Sequence, residues 1–84
     1  MTTRDELALT VRTIISNVLG TEVDDIQEPT SLYDDYSIDS LELMEIGARL
    51  ERVLALRIEV SDLTGAHNVG HAIDLLEARQ AGRA

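Results

Sequence analysis

Apolar side chains that recur at helical spacing are the feature that most constrains how this 84-residue chain can fold. In the first segment the intervals are i, i+4, i+7, i+8 and i+11, which align the side chains along one face of an α-helix. These residues are Leu7, Val11, Ile14, Ile15 and Val18. Thr3 and Glu6 fit a capping box before them, and Gly20 fits a helix stop after them. We therefore predict a helix over about residues 4–19.

Two further segments have the same helical character. A second helix is predicted over about 40–53, because Asp39 is a good N-cap residue and Glu42 completes the reciprocal capping pattern. A last helix is predicted over about 69–79, and a short helical turn precedes it over about 61–65. All the regular structure predicted in this chain is therefore helical.

Residues 21–38 are predicted to form a long loop, because Pro29 and a high density of acidic residues oppose a continuous helix. The apolar residues of this loop are expected to fold back onto the helices and keep it ordered; they are Val23, Ile26, Leu32 and Ile38. We predict the all-α class: a small three-to-four-helix bundle with a long loop between helices 1 and 2, in which residues 1–84 form a single domain.

The charged residues are segregated along the chain, which has a formal net charge of −9 at pH 7. No basic residue lies between Arg12 and Arg49, and that interval contains nine acidic residues, as many as the whole net charge. They are Glu22, Asp24, Asp25, Glu28, Asp34, Asp35, Asp39, Glu42 and Glu45. Such a field repels nucleic acid and anionic lipid and attracts basic protein surfaces. We therefore expect no nucleic-acid or membrane partner, and we favour a role in protein docking over solubility alone.

The short chain leaves little room for a deep active site beside a core, which argues against an autonomous enzyme. There is no cysteine, and no apolar run approaches the roughly 20 residues that span a bilayer. The N-terminus lacks the basic-then-apolar order of a signal peptide. His67 and His71 have a spacing that can bind metal on a helix, but no third ligand is evident, so we predict no metal site. We expect a cytoplasmic, monomeric protein.

Ser40 is the candidate functional residue, because it lies where the acidic loop becomes the second predicted helix. The first turn of a helix offers unpaired N–H groups and a partial positive charge, and both suit a phosphate. A serine is also common at helix starts for structural reasons alone. Residues 35–45 read Asp-Tyr-Ser-Ile-Asp-Ser-Leu-Glu-Leu-Met-Glu. This run resembles the prosthetic-group site of acyl carrier proteins.

In that family, the serine of an Asp-Ser-Leu motif carries 4'-phosphopantetheine, whose thiol holds an acyl chain as a thioester. The resemblance implies that Ser40 receives this group from coenzyme A in a reaction performed by a separate phosphopantetheinyl transferase. Asp39 and Leu41 would belong to the motif that the transferase recognises. The chain itself would contribute no catalytic residue.

The resemblance extends over nearly the whole chain. Residues 43–45 and 48–51 are most similar to the stand-alone carriers of iterative aromatic polyketide pathways. This similarity implies polyketide, antibiotic or fatty-acid biosynthesis, with ketosynthase, acyltransferase and tailoring enzymes that bind the carrier through basic patches. Met44 is also a candidate for lining an acyl groove between helices. The residues predicted to dock partners are Asp35, Leu41, Glu42, Met44, Glu45 and Glu51.

The chain departs from the common pattern of the family at three places. Ser37 replaces a frequent glycine, so the loop is expected to enter the helix differently. Val60-Ser61 replaces a frequent Ile-Pro, and the stretch from Val60 to Val69 is shorter than usual, so the third helix is expected to be reduced. The cargo therefore stays open. The alternative is an aminoacyl or peptidyl carrier of a nonribosomal peptide or hybrid pathway, and a third hypothesis is an unmodified interaction domain.

Overall fold

The computed structural model describes residues 3–82, and all regular structure in that range is helical. The elements are α1 (Arg4–Leu19), a 3-10 turn (Val23–Asp25), α2 (Leu32–Tyr36), α3 (Ser40–Leu54), α4 (Val60–Thr64) and α5 (Val69–Ala81). The predicted all-α class is confirmed. No helix in the described range is long and apolar enough to cross a membrane.

The starts of the long helices follow the capping chemistry read from the sequence. The Thr3 side chain accepts a hydrogen bond from the Glu6 N–H at the start of α1. Asp39 and Glu42 form the reciprocal capping box of α3. The helix starts are therefore encoded by residues three positions apart, which satisfy N–H groups that have no partner within the helix.

The ends of two helices lie slightly beyond their predicted positions. α3 ends at Leu54 rather than at about 53, and α5 ends at Ala81 rather than at about 79. The last turn of α5 continues because the Gly82 N–H donates to the Ala78 carbonyl at 3.0 Å. Such shifts concern only terminal turns, whose hydrogen bonds are decided locally.

The core lies between α1, α3 and α5, and α1 packs against both of the other helices. It is aliphatic, and burial of one such side chain contributes about 1.5–3 kcal/mol. The largest fully buried side chains are Leu7, Val11, Ile15, Ile26, Ile46, Leu50, Val69 and Ile73. One of them, Ile26, comes from outside the helices, so the first loop is part of the core.

This loop, with the helix inside it, is called here the first connection and comprises residues 20–39. Ile26 is completely buried and Ile38 is buried, as predicted for side chains that fold back onto the helices. Arg12 of α1 holds the backbone in place, because its guanidinium donates to the carbonyl oxygens of Ile26 and Val23. Buried apolar side chains and the Arg12 hydrogen bonds therefore both hold the connection in place.

Within the first connection lies α2, a helix that the sequence pattern did not predict. Ser31 caps its start by accepting a hydrogen bond from the Asp34 N–H, and Ser37 ends it in a left-handed conformation with φ of 49°. A helix of five residues leaves no readable apolar periodicity. Ser37, which stands where the family often has glycine, thus adopts a conformation that glycine reaches at less cost.

The second connection comprises residues 55–68 and contains α4. α4 packs against α3 and α5. The buried residues of the second connection face the core; they are Leu56 and Ile58, which precede α4, and Leu63 of α4. The turn predicted over about 61–65 is α4 itself, and its five residues agree with the reduced helix expected from the short sequence here.

Candidate functional site

Ser40 is the first residue of α3, and its side chain is exposed. The carboxylate of Asp39 accepts a hydrogen bond of 2.8 Å from the Glu42 N–H. In return, the Glu42 carboxylate accepts one of 3.1 Å from the Asp39 N–H. These two bonds fix the turn from the loop into the helix. The serine is therefore held at a defined helix start, while its hydroxyl makes no hydrogen bond to the described residues.

The first turn of α3 fits a phosphate ester on the serine. The N–H groups of Ser40 and Leu41 have no partner among residues 3–82, and the helix dipole places a partial positive charge beside them. The next donor, the Glu42 N–H, is already used by Asp39. Because two carboxylates lie nearby, we expect the phosphate to be held loosely, which leaves an attached arm mobile.

Two large apolar side chains lie beside the serine on the outer surface of α3. Leu41 is 75% exposed and Met44 is 53% exposed, and Ala48 continues the same exposed surface. Met44 therefore does not line a groove between the helices, because helical periodicity turns it away from the buried Leu43. Exposed apolar groups next to the candidate serine are suited to contact with a partner protein.

The acidic residues predicted to dock partners make local contacts. Asp35 accepts a hydrogen bond of 3.0 Å from the Ser31 N–H. Glu45 and Arg49 form an ion pair of 2.7 Å, and the hydrogen bond from Arg49 lowers the pKa of the Glu45 carboxyl. Because folding lowers this pKa, the pair stabilises the folded chain above the ordinary glutamate pKa and is lost as the pH falls through the lowered value. Asp35 and Glu45 are both exposed despite these contacts.

Glu51 is different, because its carboxylate reaches across to the second connection. It accepts a hydrogen bond of 2.9 Å from the Ile58 N–H and is only partly exposed. That contact supports the chain just after α3 ends. No local signal in the sequence indicates it, since its donor is a backbone group seven residues away.

A narrow apolar cavity of about 20 Å³ lies among the helices. Space of this size holds about one water molecule, so an acyl chain would enter only if the helices moved apart. Tyr33, at 45% exposure, lies at the edge of this cavity, and Leu63 of α4 forms one wall. Residues from every helix line it, among them Ile15, Leu32, Leu43, Leu50 and Ala72.

His67 and His71 lie at the start of α5. Their rings stack with centroids 5.5 Å apart, and His71 Nδ1 accepts a hydrogen bond of 3.2 Å from the His67 N–H. Within residues 3–82, no three His, Cys, Asp or Glu side chains are grouped so that they could hold a metal ion. One ring nitrogen of His71 is thus engaged at the helix start.

Comparison with known proteins gives consistent similarities. Residues 10–76 match the family described as the phosphopantetheine attachment site. An acyl carrier protein of Saccharopolyspora erythraea is 33% identical over 72 residues, which cover 86% of this chain and 76% of that protein. An acyl carrier protein of Thermotoga maritima is 29% identical over 79 residues, covering 94% and 98%. A meromycolate extension acyl carrier protein of Mycobacterium leprae is 32% identical over 75 residues, covering 89% and 65%.

A solved structure has a similar fold. It is an acyl carrier protein from Enterococcus faecalis, which superposes with a TM-score of 0.75 at 31% sequence identity. The match covers 93% of this chain and 99% of the other. The similarity therefore extends over the whole helical arrangement rather than over the motif alone.

Proposed function

This chain belongs to the acyl carrier protein family, and we propose that it carries polyketide intermediates on a phosphopantetheine arm attached to Ser40. It is a non-catalytic carrier that a phosphopantetheinyl transferase modifies, and its 4'-phosphopantetheine is covalently attached. When bound, this group supplies a thiol that holds an acyl chain as a thioester.

The observation that supports Ser40 is its position as the exposed first residue of α3, directly after the capping box. Its hydroxyl is accessible, so its oxygen can bond to the phosphorus that bears pantetheine in coenzyme A. The pyrophosphate bond of coenzyme A breaks, adenosine 3',5'-bisphosphate leaves, and a base of the transferase takes the serine proton. The free N–H groups of Ser40 and Leu41 lie beside that oxygen and favour the negative charge of the product. The capping box of Asp39 and Glu42 fixes the turn that presents this hydroxyl to a transferase.

We propose that partner enzymes contact the exposed surface around this serine. Leu41 and Met44 supply apolar contact, and the exposed carboxylates supply attraction to basic patches. The docking residues proposed are Asp35, Leu41, Glu42, Met44 and Glu45. Glu51 has a different role in this proposal, since its contact with the Ile58 N–H supports the second connection.

The test of the attachment residue is intact mass after incubation with coenzyme A and a broad-specificity phosphopantetheinyl transferase. We expect wild type to gain one phosphopantetheine and Ser40→Ala to gain none. Ser61→Ala is the matched control, because Ser61 is also an exposed serine in the first turn of a helix. It should be modified as wild type is. A gain of mass on Ser40→Ala would assign the arm to another residue.

The polyketide assignment is supported by the similarity of residues 43–45 and 48–51 to stand-alone carriers of iterative aromatic pathways. An aminoacyl or peptidyl carrier is the second candidate, and the short α4 favours it. The holo chain should be offered malonyl-CoA with an acyltransferase, and amino acids with adenylating enzymes. Malonyl loading followed by extension with an aromatic-pathway ketosynthase supports the polyketide role. Aminoacyl loading alone would replace it by the second candidate, and extension only by fatty-acid enzymes would replace it by a fatty-acid role.

A further inference from the structure

The outer face of α3 changes its chemical character along its length. It lies opposite the buried Leu43 and Leu50, as the helical repeat requires. Near Ser40 the face is largely apolar, and toward its far end it is basic. The residues on this face are Leu41, Met44, Glu45, Ala48, Arg49 and Arg52.

Charges of opposite sign lie beside the two ends of this face. Close to Ser40 lie Asp35, Asp39 and Glu42, none of which has an ion-pair partner among residues 3–82. At the far end, Arg52 is exposed and forms neither a hydrogen bond nor an ion pair within the described part of the chain. A partner that approaches α3 therefore meets carboxylates without an ion-pair partner first. Further along it meets Arg52, whose charge acts on Glu45 without forming an ion pair.

The middle of the face is electrically neutral. Glu45 and Arg49 are joined by an ion pair of 2.7 Å, so their charges largely cancel. Glu51 does not neutralise Arg52, because its carboxylate is directed to the Ile58 N–H. A base in the last turn also suits the helix dipole and stabilises the helix modestly. The dipole would be served by a basic residue at any position of the last turn, so it does not explain why Arg52 lies on the same face as Leu41.

We propose that α3 docks as a bipolar surface on the acyltransferase that loads the carrier, an inference that rests on the proposed function. The enzyme surface would place basic side chains beside the entrance that receives the arm. It would place a carboxylate opposite Arg52, which lies roughly 18 Å from Ser40 at about 1.5 Å per residue. Opposite charges at the two ends fix the direction in which the helix lies, because the reversed orientation would bring like charges together.

The test is malonyl transfer from malonyl-CoA to the full-length holo chain, with kcat/KM measured for wild type, Arg52→Gln and Arg52→Glu. We expect a loss of about threefold for Arg52→Gln and about tenfold for Arg52→Glu at low salt, mainly through KM. The loss should shrink at about 0.5 M salt, where charges are screened. Arg57→Glu is the control, because it makes the same charge change at an exposed arginine outside α3. It should keep the rate of wild type.

Each other outcome has a definite meaning. Faster or unchanged transfer to Arg52→Glu would overturn the proposal, since it is the result expected of a purely acidic docking face. An equal loss for Arg57→Glu would also overturn it, because only net charge would then matter. If kcat/KM fell together with the melting temperature and did not depend on salt, Arg52 would act only by stabilising the helix, and the proposal would be overturned. Failure of the wild-type holo chain to accept malonyl counts against the proposed function instead.

Discussion

The two connections of this protein are built alike but held with different strength. Each contains a helix of five residues, and each is held by an arginine of a long helix. Arg12 holds the first connection from a partly buried position through two backbone carbonyls. Arg79 holds the second from an exposed position, through the Arg57 carbonyl and the Asp62 carboxylate, both at 2.8 Å. Exposed contacts contribute little, so Arg79 stabilises the second connection less than Arg12 stabilises the first.

The first connection is also bonded to the start of α5. The Gly70 N–H donates to the Glu28 carbonyl at 2.7 Å, and the Val69 N–H donates to the Thr30 carbonyl at 2.9 Å. These are N–H groups of a first helical turn, which have no partner inside the helix. Arg4 of α1 adds an ion pair of 2.8 Å to Glu28, and the hydrogen bonds that its guanidinium donates to Glu28 and Asp74 raise the pKa of Arg4.

This difference indicates which wall of the cavity can move. The first connection is bonded to both α1 and α5, whereas the second is held by its buried side chains, by the hydrogen bond from the Ile58 N–H to Glu51 and by the exposed contacts of Arg79. Local opening begins where few buried contacts and few protected hydrogen bonds must be broken. We therefore expect the cavity to widen by displacement of the second connection while the first stays in place.

The largest effect should come from removing the apolar anchor of each connection. Ile26→Ala should lower the free energy of unfolding by about 4 kcal/mol, and Ile58→Ala by about 2 kcal/mol. The reason is that Ile26 is 0% exposed and Ile58 is 7% exposed at the edge of the core. Urea unfolding monitored by circular dichroism measures both. Equal losses would show that the two connections are equally anchored.

A smaller effect is expected from the two arginines. Arg12→Ala leaves the Ile26 and Val23 carbonyls without their side-chain donor and should cost about 2 kcal/mol. Arg79→Ala should cost no more than about 1 kcal/mol, because its contacts are exposed to water. Hydrogen exchange shows which backbone amides lose protection: in the Arg79 variant only those of the second connection should exchange faster. A larger loss from Arg79→Ala than from Arg12→Ala would reverse the comparison.

The smallest effect concerns two glycines that differ in what surrounds them. A Cβ on Gly70 would lie 3.2 Å from the Glu28 carbonyl oxygen, whereas one on Gly47 would meet only a Leu63 methyl group at 3.4 Å. Gly70→Ala should therefore destabilise by about 1 kcal/mol through overpacking. Gly47→Ala should be neutral or stabilising by up to about 1 kcal/mol, because alanine favours the helix. Melting curves of both variants test this. A stabilised Gly70→Ala would mean that the Glu28 backbone of the first connection moves aside at little cost.

Sequence reasoning located the three long helices and the serine at the start of α3, because these depend on short-range signals. The apolar stripe of α1 repeats within one helix, and the Asp39–Glu42 box spans three residues. The same reasoning missed α2, since five residues carry no periodicity. It also offered Met44 as a candidate both for a groove between helices and for the docking surface, because an apolar residue at helical spacing does not reveal which of two adjacent stripes is buried. The structure places Met44 on the exposed one.

By itself, the sequence determined the all-α class, the long helices and the position of Asp39-Ser40-Leu41 at the start of α3, since periodicity and capping act between residues a few positions apart. Only the tertiary structure decided how the connections are held. Arg12 reaches a carbonyl 14 residues away, and Arg79 reaches one 22 residues away. Every residue carries such a carbonyl, so no side-chain pattern in the sequence marks which one an arginine will bind. The choice follows from packing of the core, which brings these distant groups together.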